Sequence, residues 1–208
     1  MKEILIKNKE ILERLNGFLV AFEKADTSLL PIEFRKSGNE NQQIAVSEKY
    51  LEAMIKLNQA TPACINGCDL IHWDRNPEKP MDDAWKAITN DISHNFTREL
   101  GAQQNALACY YPKGGFIGWH DNNDVPGWTL LFNWSETGNS FYRYRDCETH
   151  DIHTIRDKPG WSCKTGFYGH GPLSTFHCAA SYEPRWSIAF YLRDKELRDQ
   201  LLYDIEHE

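Results

Sequence analysis

Apolar residues near the start of the chain recur in the rhythm of a helix. Ile4, Ile11, Leu15, Phe18 and Phe22 stand at steps of three, four and seven, with Leu5, Leu12 and Leu19 beside them and Lys and Glu on the other face. That stripe predicts an amphipathic helix. From Pro31 to Gln43 the apolar content falls and Gly38, Asn39 and Asn41 appear, which predicts a polar connection. Ser47 then stands where it can cap a shorter helix carrying Leu51, Met54 and Ile55. Residues 58–80 contain Pro62, Pro77 and Pro80 and are expected to be mostly irregular. A third helix is expected from Asp82 or Asp83, burying Trp85, Ile88, Ile92 and Phe96.

Beyond Gly101 the texture changes. Gly and Pro recur every few residues, and the short runs between them are rich in aromatic and β-branched side chains. Strands are expected at 105–111, 127–134, 140–144, 152–156, 161–168 and 185–193. Short strands at this spacing suggest a jelly roll or a small barrel. In the last one Trp186, Ile188, Phe190 and Leu192 alternate with Arg185, Ser187, Ala189 and Tyr191. One face is therefore bulky and apolar, the face for helices to cover, and the other is polar or small. Asp194 is a fitting N-cap for a closing helix with Leu197, Leu201 and Ile205 on one side. The expected organisation is a single α+β domain: helices and loops over 1–104, a strand core over 105–193 and a terminal helix over 194–208.

Composition narrows the function classes. The 208 residues carry 30 acidic against 23 basic side chains, a formal net charge of -7, which repels phosphate backbones and disfavours nucleic acid as a partner. No run approaches the roughly 20 apolar residues that span a bilayer, and the first residues show no export pattern, so a cytoplasmic protein with no membrane association is expected. The six cysteines, Cys64, Cys68, Cys109, Cys147, Cys163 and Cys178, are then expected as free thiols. Cys64 and Cys68 form the one close pair, with no second pair at zinc spacing.

Three pieces of the strand region contain residue types that cost stability when buried without a role: Trp119-His120-Asp121-Asn122, Phe176-His177-Cys178 and Pro184-Arg185-Trp186-Ser187. Residues two apart on a strand point the same way, so His120 and Asn122 can meet one metal ion while Asp121 faces away. His177 can complete the set from across the barrel. Two imidazoles and one oxygen donor leave three positions open on an octahedral ion, the arrangement of a non-haem Fe(II) oxygenase.

At these residues the chain resembles the Fe(II) and 2-oxoglutarate dependent dioxygenases, whose pattern is His-x-Asp, a distal His, then Arg-x-Ser. The run from Tyr111 through Gly114 and Gly115 to His120 is similar to the Tyr-x-x-Gly-Gly lead-in of the prolyl hydroxylase branch. The resemblance covers about residues 105–193. It implies a double-stranded β-helix (jelly roll) with the N-terminal helices packed on one face, Fe(II) held by His120, Asn122 and His177, and 2-oxoglutarate held by Arg185, Ser187 and Tyr111. Catalytic weight would rest on His120, His177 and Arg185. The implied reaction hydroxylates a small molecule or an amino-acid or peptide side chain and releases succinate and CO2.

The sequence departs from that pattern where the usual carboxylate ligand is replaced by Asn122. Three arrangements stay open: the Asn122 carbonyl or water completes the site; a halide enters and the enzyme halogenates; or the loop bends so that Asp124 or Asp121 ligates. Arg185 could alternatively pair with Glu183 at the surface, His170 could line the mouth, and the chain could be a jelly-roll binding module without catalysis. His72, His94, His150, His153 and His207 are read as ordinary hydrogen-bonded residues.

Overall fold

The computed structural model describes residues 1–26, 39–57, 67–70, 82–122, 126–169 and 173–207. In chain order these form β1 (Lys2–Ile4), α1 (Lys9–Lys24), α2 (Asn39–Ala45), α3 (Glu48–Leu57), β2 (Asp69–Leu70), α4 (Asp83–Asn90), a π-helical turn (Asp91–Phe96) and α5 (Thr97–Glu99). There follow β3 (Gln104–Tyr111), β4 (Phe116–His120), β5 (Gly127–Ser135), β6 (Ser140–Arg145), β7 (Ile152–Arg156), β8 (Gly160–Tyr168), β9 (His177–Ser181), β10 (Arg185–Leu192) and α6 (Lys195–Glu206). No helix among the described residues is long and apolar enough to cross a membrane.

The strands make two antiparallel sheets. The larger has the order β1-β8-β5-β10-β3-β2 and the smaller β4-β9-β6-β7. Their facing sides share an inner layer: Cys109, Tyr111, Leu131 and Ala189 come from the larger sheet, and Ile117, Tyr142 and Ala179 from the smaller. On the other side of the larger sheet, Ile188, Phe190, Leu130 and Phe132 pack against Leu15, Phe18 and Phe22 of α1, Trp85 of α4 and Ile205 of α6. Stacking of Phe22 on Trp186, with ring centroids 4.2 Å apart, joins α1 to β10. Helices therefore cover the bulky face of β10, as its alternation predicts.

Local chemistry explains the helix boundaries. Asn8 caps α1 by accepting from the Ile11 amide at 3.0 Å, Asp82 caps α4 through Ala84, and Asp194 caps α6 through Glu196 and Leu197. The Ser47 hydroxyl accepts from the Tyr50 amide at 3.2 Å and starts α3.

Four expectations need correction. The N-terminal helices do not all pack on one face: α1 and α4 cover the larger sheet, whereas Ala45 of α2 and Leu51 of α3 pack on the smaller one against Phe116 and Trp119. The helical stripe does not begin at Ile4, which lies in β1 opposite Cys163 of β8; α1 starts only after Asn8, and Leu5 is exposed. The expected connection up to Gln43 ends in α2, because Gln42 is buried and its side chain donates to the carbonyls of Gly115 and Ser181. The early region also supplies two strands to the larger sheet, one of them β2 within a stretch expected to be irregular. Residues 58–66 and 71–80, with Cys64 and His72 among them, lie outside the described residues, as do Asp124 and His170. Cys109, Cys147, Cys163 and Cys178 are free thiols.

Candidate functional site

The turn that leads into β4 is built by two glycines. The Gly115 amide donates to the Pro112 carbonyl at 2.7 Å, and Gly114 has a φ of 79°, the left-handed conformation a type II turn requires at its third residue. A Cβ on Gly115 would lie 2.7 Å from the Pro112 carbonyl oxygen. The turn carries the chain from β3 in one sheet to β4 in the other.

β4 then runs antiparallel to β9, with Ile117 opposite Ala179 and His120 opposite His177, and the register slips between those two pairs. Three steps on β4 thus match two on β9, a bulge of one extra residue. The bulge decides where His120 points. Simple alternation would put Trp119 beside Ile117 in the inner layer and turn His120 outward. Instead Trp119 packs on the outer side of the smaller sheet with Phe116, Phe141 and Cys178, and the His120 ring stands 4.2 Å from the His177 ring, centroid to centroid.

Both rings are held the same way. His120 Nδ1 lies 2.8 Å from the Gly118 carbonyl oxygen and His177 Nδ1 3.0 Å from that of Thr175. A carbonyl can only accept, so Nδ1 is the protonated nitrogen of each neutral ring and Nε2 keeps its lone pair. This is how metal-binding imidazoles are usually oriented. Burial lowers the pKa of His120; His177 is driven well below the ordinary value, by burial first and by the neighbouring imidazole second. Both rings stay neutral near pH 7. Tyr168 and Tyr142 flank His177, with centroids 4.6 and 5.7 Å away, and their phenols hydrogen-bond to one another.

Asn122 lies two residues past His120, just beyond the end of β4, and is half-buried. Asp121 is buried, and its carboxylate accepts from the Ser174 hydroxyl. Among the described residues no group of three His, Cys, Asp or Glu side chains is placed to hold a metal, so Asp121 does not join the two histidines.

The second cluster surrounds Arg185, which is 1% exposed. It has no surface pairing with Glu183, whose carboxylate instead accepts from Ser135, Thr137 and the Asn139 amide. Arg185 Nε donates to Asp157 at 2.7 Å, Nη1 donates to Ser187 Oγ at 2.6 Å, and the guanidinium lies 4.8 Å from the centre of the Tyr111 ring. Nη2 is buried without a partner among the described residues. Asp157 also binds Lys164, which is fully buried, at 2.7 Å. Burial raises the Asp157 carboxyl, but Arg185 and Lys164 outweigh it and hold the group well below the usual carboxylate range. Burial lowers Lys164, which Asp157 partly offsets; Arg185 is raised because Asp157 outweighs its own burial. Two cations face one carboxylate, so the cluster keeps a net positive charge out of water.

Arg185, Ser187 and Tyr111 thus meet in one place and His120 and His177 in another, joined by the inner layer between the sheets. Asp157, Lys164 and Asn133 went unnoticed in the sequence. The signal for Lys164 was its parity: with Ser162 and Gly166 it falls on one face of β8, opposite the face of Trp161 and Cys163. A cavity of about 350 Å³ is lined by Trp128, Tyr144, Phe167, Thr175 and Arg198 among others; neither histidine lines it, although Tyr144 is the β6 partner of His177.

No protein-family model matches the chain, and no curated protein matches it. Among solved structures, a Pseudomonas putida prolyl-4-hydroxylase is similar at 13% identity and a TM-score of 0.38, over 77% of this chain and 91% of that one. A 2OG-Fe(II) oxygenase family oxidoreductase from Burkholderia pseudomallei gives 13% identity and a TM-score of 0.39, over 77% and 92%. A prolyl hydroxylase from Trichoplax adhaerens, in complex with a hypoxia inducible factor peptide fragment, gives 13% and 0.36 over 92% and 94%. Likenesses this slight leave the functional reading to the geometry of the site.

Proposed function

We propose that this chain is an Fe(II) and 2-oxoglutarate dependent oxygenase that hydroxylates a small molecule or an amino-acid side chain. The observation that carries the reading is the cross-strand pair of His120 and His177, each with Nδ1 tied to a carbonyl and Nε2 left to ligate. From β3 to β10 the chain crosses between the two sheets at every step except β6 to β7, an order expected of a jelly roll, which supports the same assignment.

The donor set fits a divalent iron. Two neutral imidazoles from His120 and His177 with the Asn122 amide oxygen leave positions for a chelating cosubstrate and oxygen. Bound iron would couple decarboxylation of 2-oxoglutarate to oxidation of the substrate. Arg185 and Ser187 bind the distal carboxylate of 2-oxoglutarate, a planar anion matched by the guanidinium fork. The Tyr111 ring packs against the guanidinium and keeps the cation in place. Tyr142 and Tyr168 pack against the His177 ring.

Succinate release, measured with added iron and 2-oxoglutarate across free amino acids, peptides and small hydroxyl-poor metabolites, tests the reading. Turnover that needs both iron and a substrate, and that is lost in His120→Ala and His177→Ala, is the expected result. Chloride in the product instead of a hydroxyl would assign a halogenase. Turnover without iron, or none while the protein binds its ligand in the presence of a chelator, would replace the oxygenase by a binding module.

A further inference from the structure

The cluster around Arg185 contains a hydrogen-bond relay that decides what Ser187 can do. Lys164 Nζ donates to Asp157 at 2.7 Å, to Asn133 Oδ1 at 3.0 Å and to Ser162 Oγ at 3.2 Å. Three acceptors use all three ammonium hydrogens, so Lys164 has none left for a ligand. Its bond to Asn133 fixes that amide: an ammonium only donates, so the oxygen faces Lys164 and the nitrogen faces away. The Asn133 nitrogen then donates to Ser187 Oγ at 2.7 Å, while Arg185 Nη1 donates to the same oxygen at 2.6 Å.

Ser187 Oγ has two lone pairs, and both are used. Its own hydrogen must point elsewhere, and among the described residues no acceptor for it is present. Arg185 Nη2 stands beside it, buried and also without an acceptor. A serine hydroxyl ordinarily serves as donor or acceptor; here the relay leaves it only the donor role. The charge balance is consistent, since Asp157 cancels one of the two buried cations and engages Arg185 through Nε alone, leaving Nη2 without a partner among the described residues.

We propose that Lys164 and Asn133 are specificity-determining positioning residues: acting through Ser187, they leave this site donating hydrogen bonds only, which favours a ligand end that accepts without donating, a carboxylate. The inference rests on the oxygenase reading for the identity of the ligand as a keto diacid; the relay itself requires only an anion. Asn133→Asp is the sharpest change. It keeps the side-chain shape but removes the N–H, so Ser187 donates to residue 133 and the one lone pair this frees is presented to the ligand.

Calorimetric titration tests this on the Mn(II)-loaded protein with three probes: 2-oxoglutarate, 2-oxobutanoate, which lacks the distal carboxylate, and glutarate, which lacks the keto group. Asn133→Asp is expected to weaken 2-oxoglutarate about tenfold or more. Lys164→Met, which frees the Asn133 amide to turn, should weaken it as well. 2-Oxobutanoate should bind both variants as it binds the wild type, which also reports that the site is folded. If Asn133→Asp does not fold, Lys164→Met carries the test. Equal 2-oxoglutarate affinity in the wild type and the folded variants overturns the relay and leaves the oxygenase reading standing. Glutarate binding that weakens in the variants, with no keto acid bound by the wild type, upholds the relay and overturns the oxygenase reading. No binding of any probe by the wild type overturns both.

Discussion

The two faces of β10 differ in kind although they belong to one strand. On the helix side Trp186, Ile188, Phe190 and Leu192 enter an apolar layer whose stability comes from area removed from water, and whose details tolerate exchange. On the inner side Arg185 and Ser187 enter a layer where Lys164, Asp157 and Asn133 are also fully or almost fully buried. Apolar groups of similar volume would stabilise that space at least as well as a buried ion cluster. The first face therefore records folding, and the second records a task the fold has to accommodate.

Substitutions on the two sides should separate accordingly. The largest effect is expected for Asp157→Asn, which leaves two buried cations without their carboxylate and should cost about 3–5 kcal/mol in denaturant unfolding. The same group gives the acid limb of stability its slope. Its folded pKa is held below the unfolded value, so the unfolded chain takes up the proton first. Its contribution is complete at neutral pH and is lost as pH falls below the ordinary carboxylate value near 4, at up to about 1.4 kcal/mol per pH unit. Asp157→Asn should flatten that limb in a series of melts. On the helix side Phe132→Leu should cost less than about 1.5 kcal/mol and leave ligand affinity unchanged. At the surface, Lys158→Ala removes an exposed ion pair with Glu3 and should cost under about 1 kcal/mol, less still in high salt. A helix-side swap that proved more damaging than the loss of Asp157 would erase the contrast.

The helix-side face was legible in the sequence apart from β1, because alternation along β10 and the 3.6-residue rhythm of α1 and α4 are properties of single segments. The histidines and the Arg-x-Ser pair stood out as candidates by their order and spacing. The bulge before His120 was not legible, since nothing local distinguishes Gly118-Trp119 in a bulge from the same residues in a regular strand. The helical stripe was extended through Ile4 because a buried residue of a short edge strand fits a helical spacing by chance. Asp157 and Lys164 escaped notice because each looks like a surface charge until the pairing of β5, β8 and β10 brings them to Arg185. What was missed is the set of relations between segments, and the relay through Asn133 consists entirely of such relations.

The central claim is that His120 and His177 share one divalent ion. Anaerobic titration of the metal-free protein with Fe(II), followed calorimetrically, measures this directly for the wild type, His120→Ala and His177→Ala. One ion per chain in the wild type, lost in each single variant, is the predicted result. Undiminished binding in either variant, or none in the wild type, would contradict it.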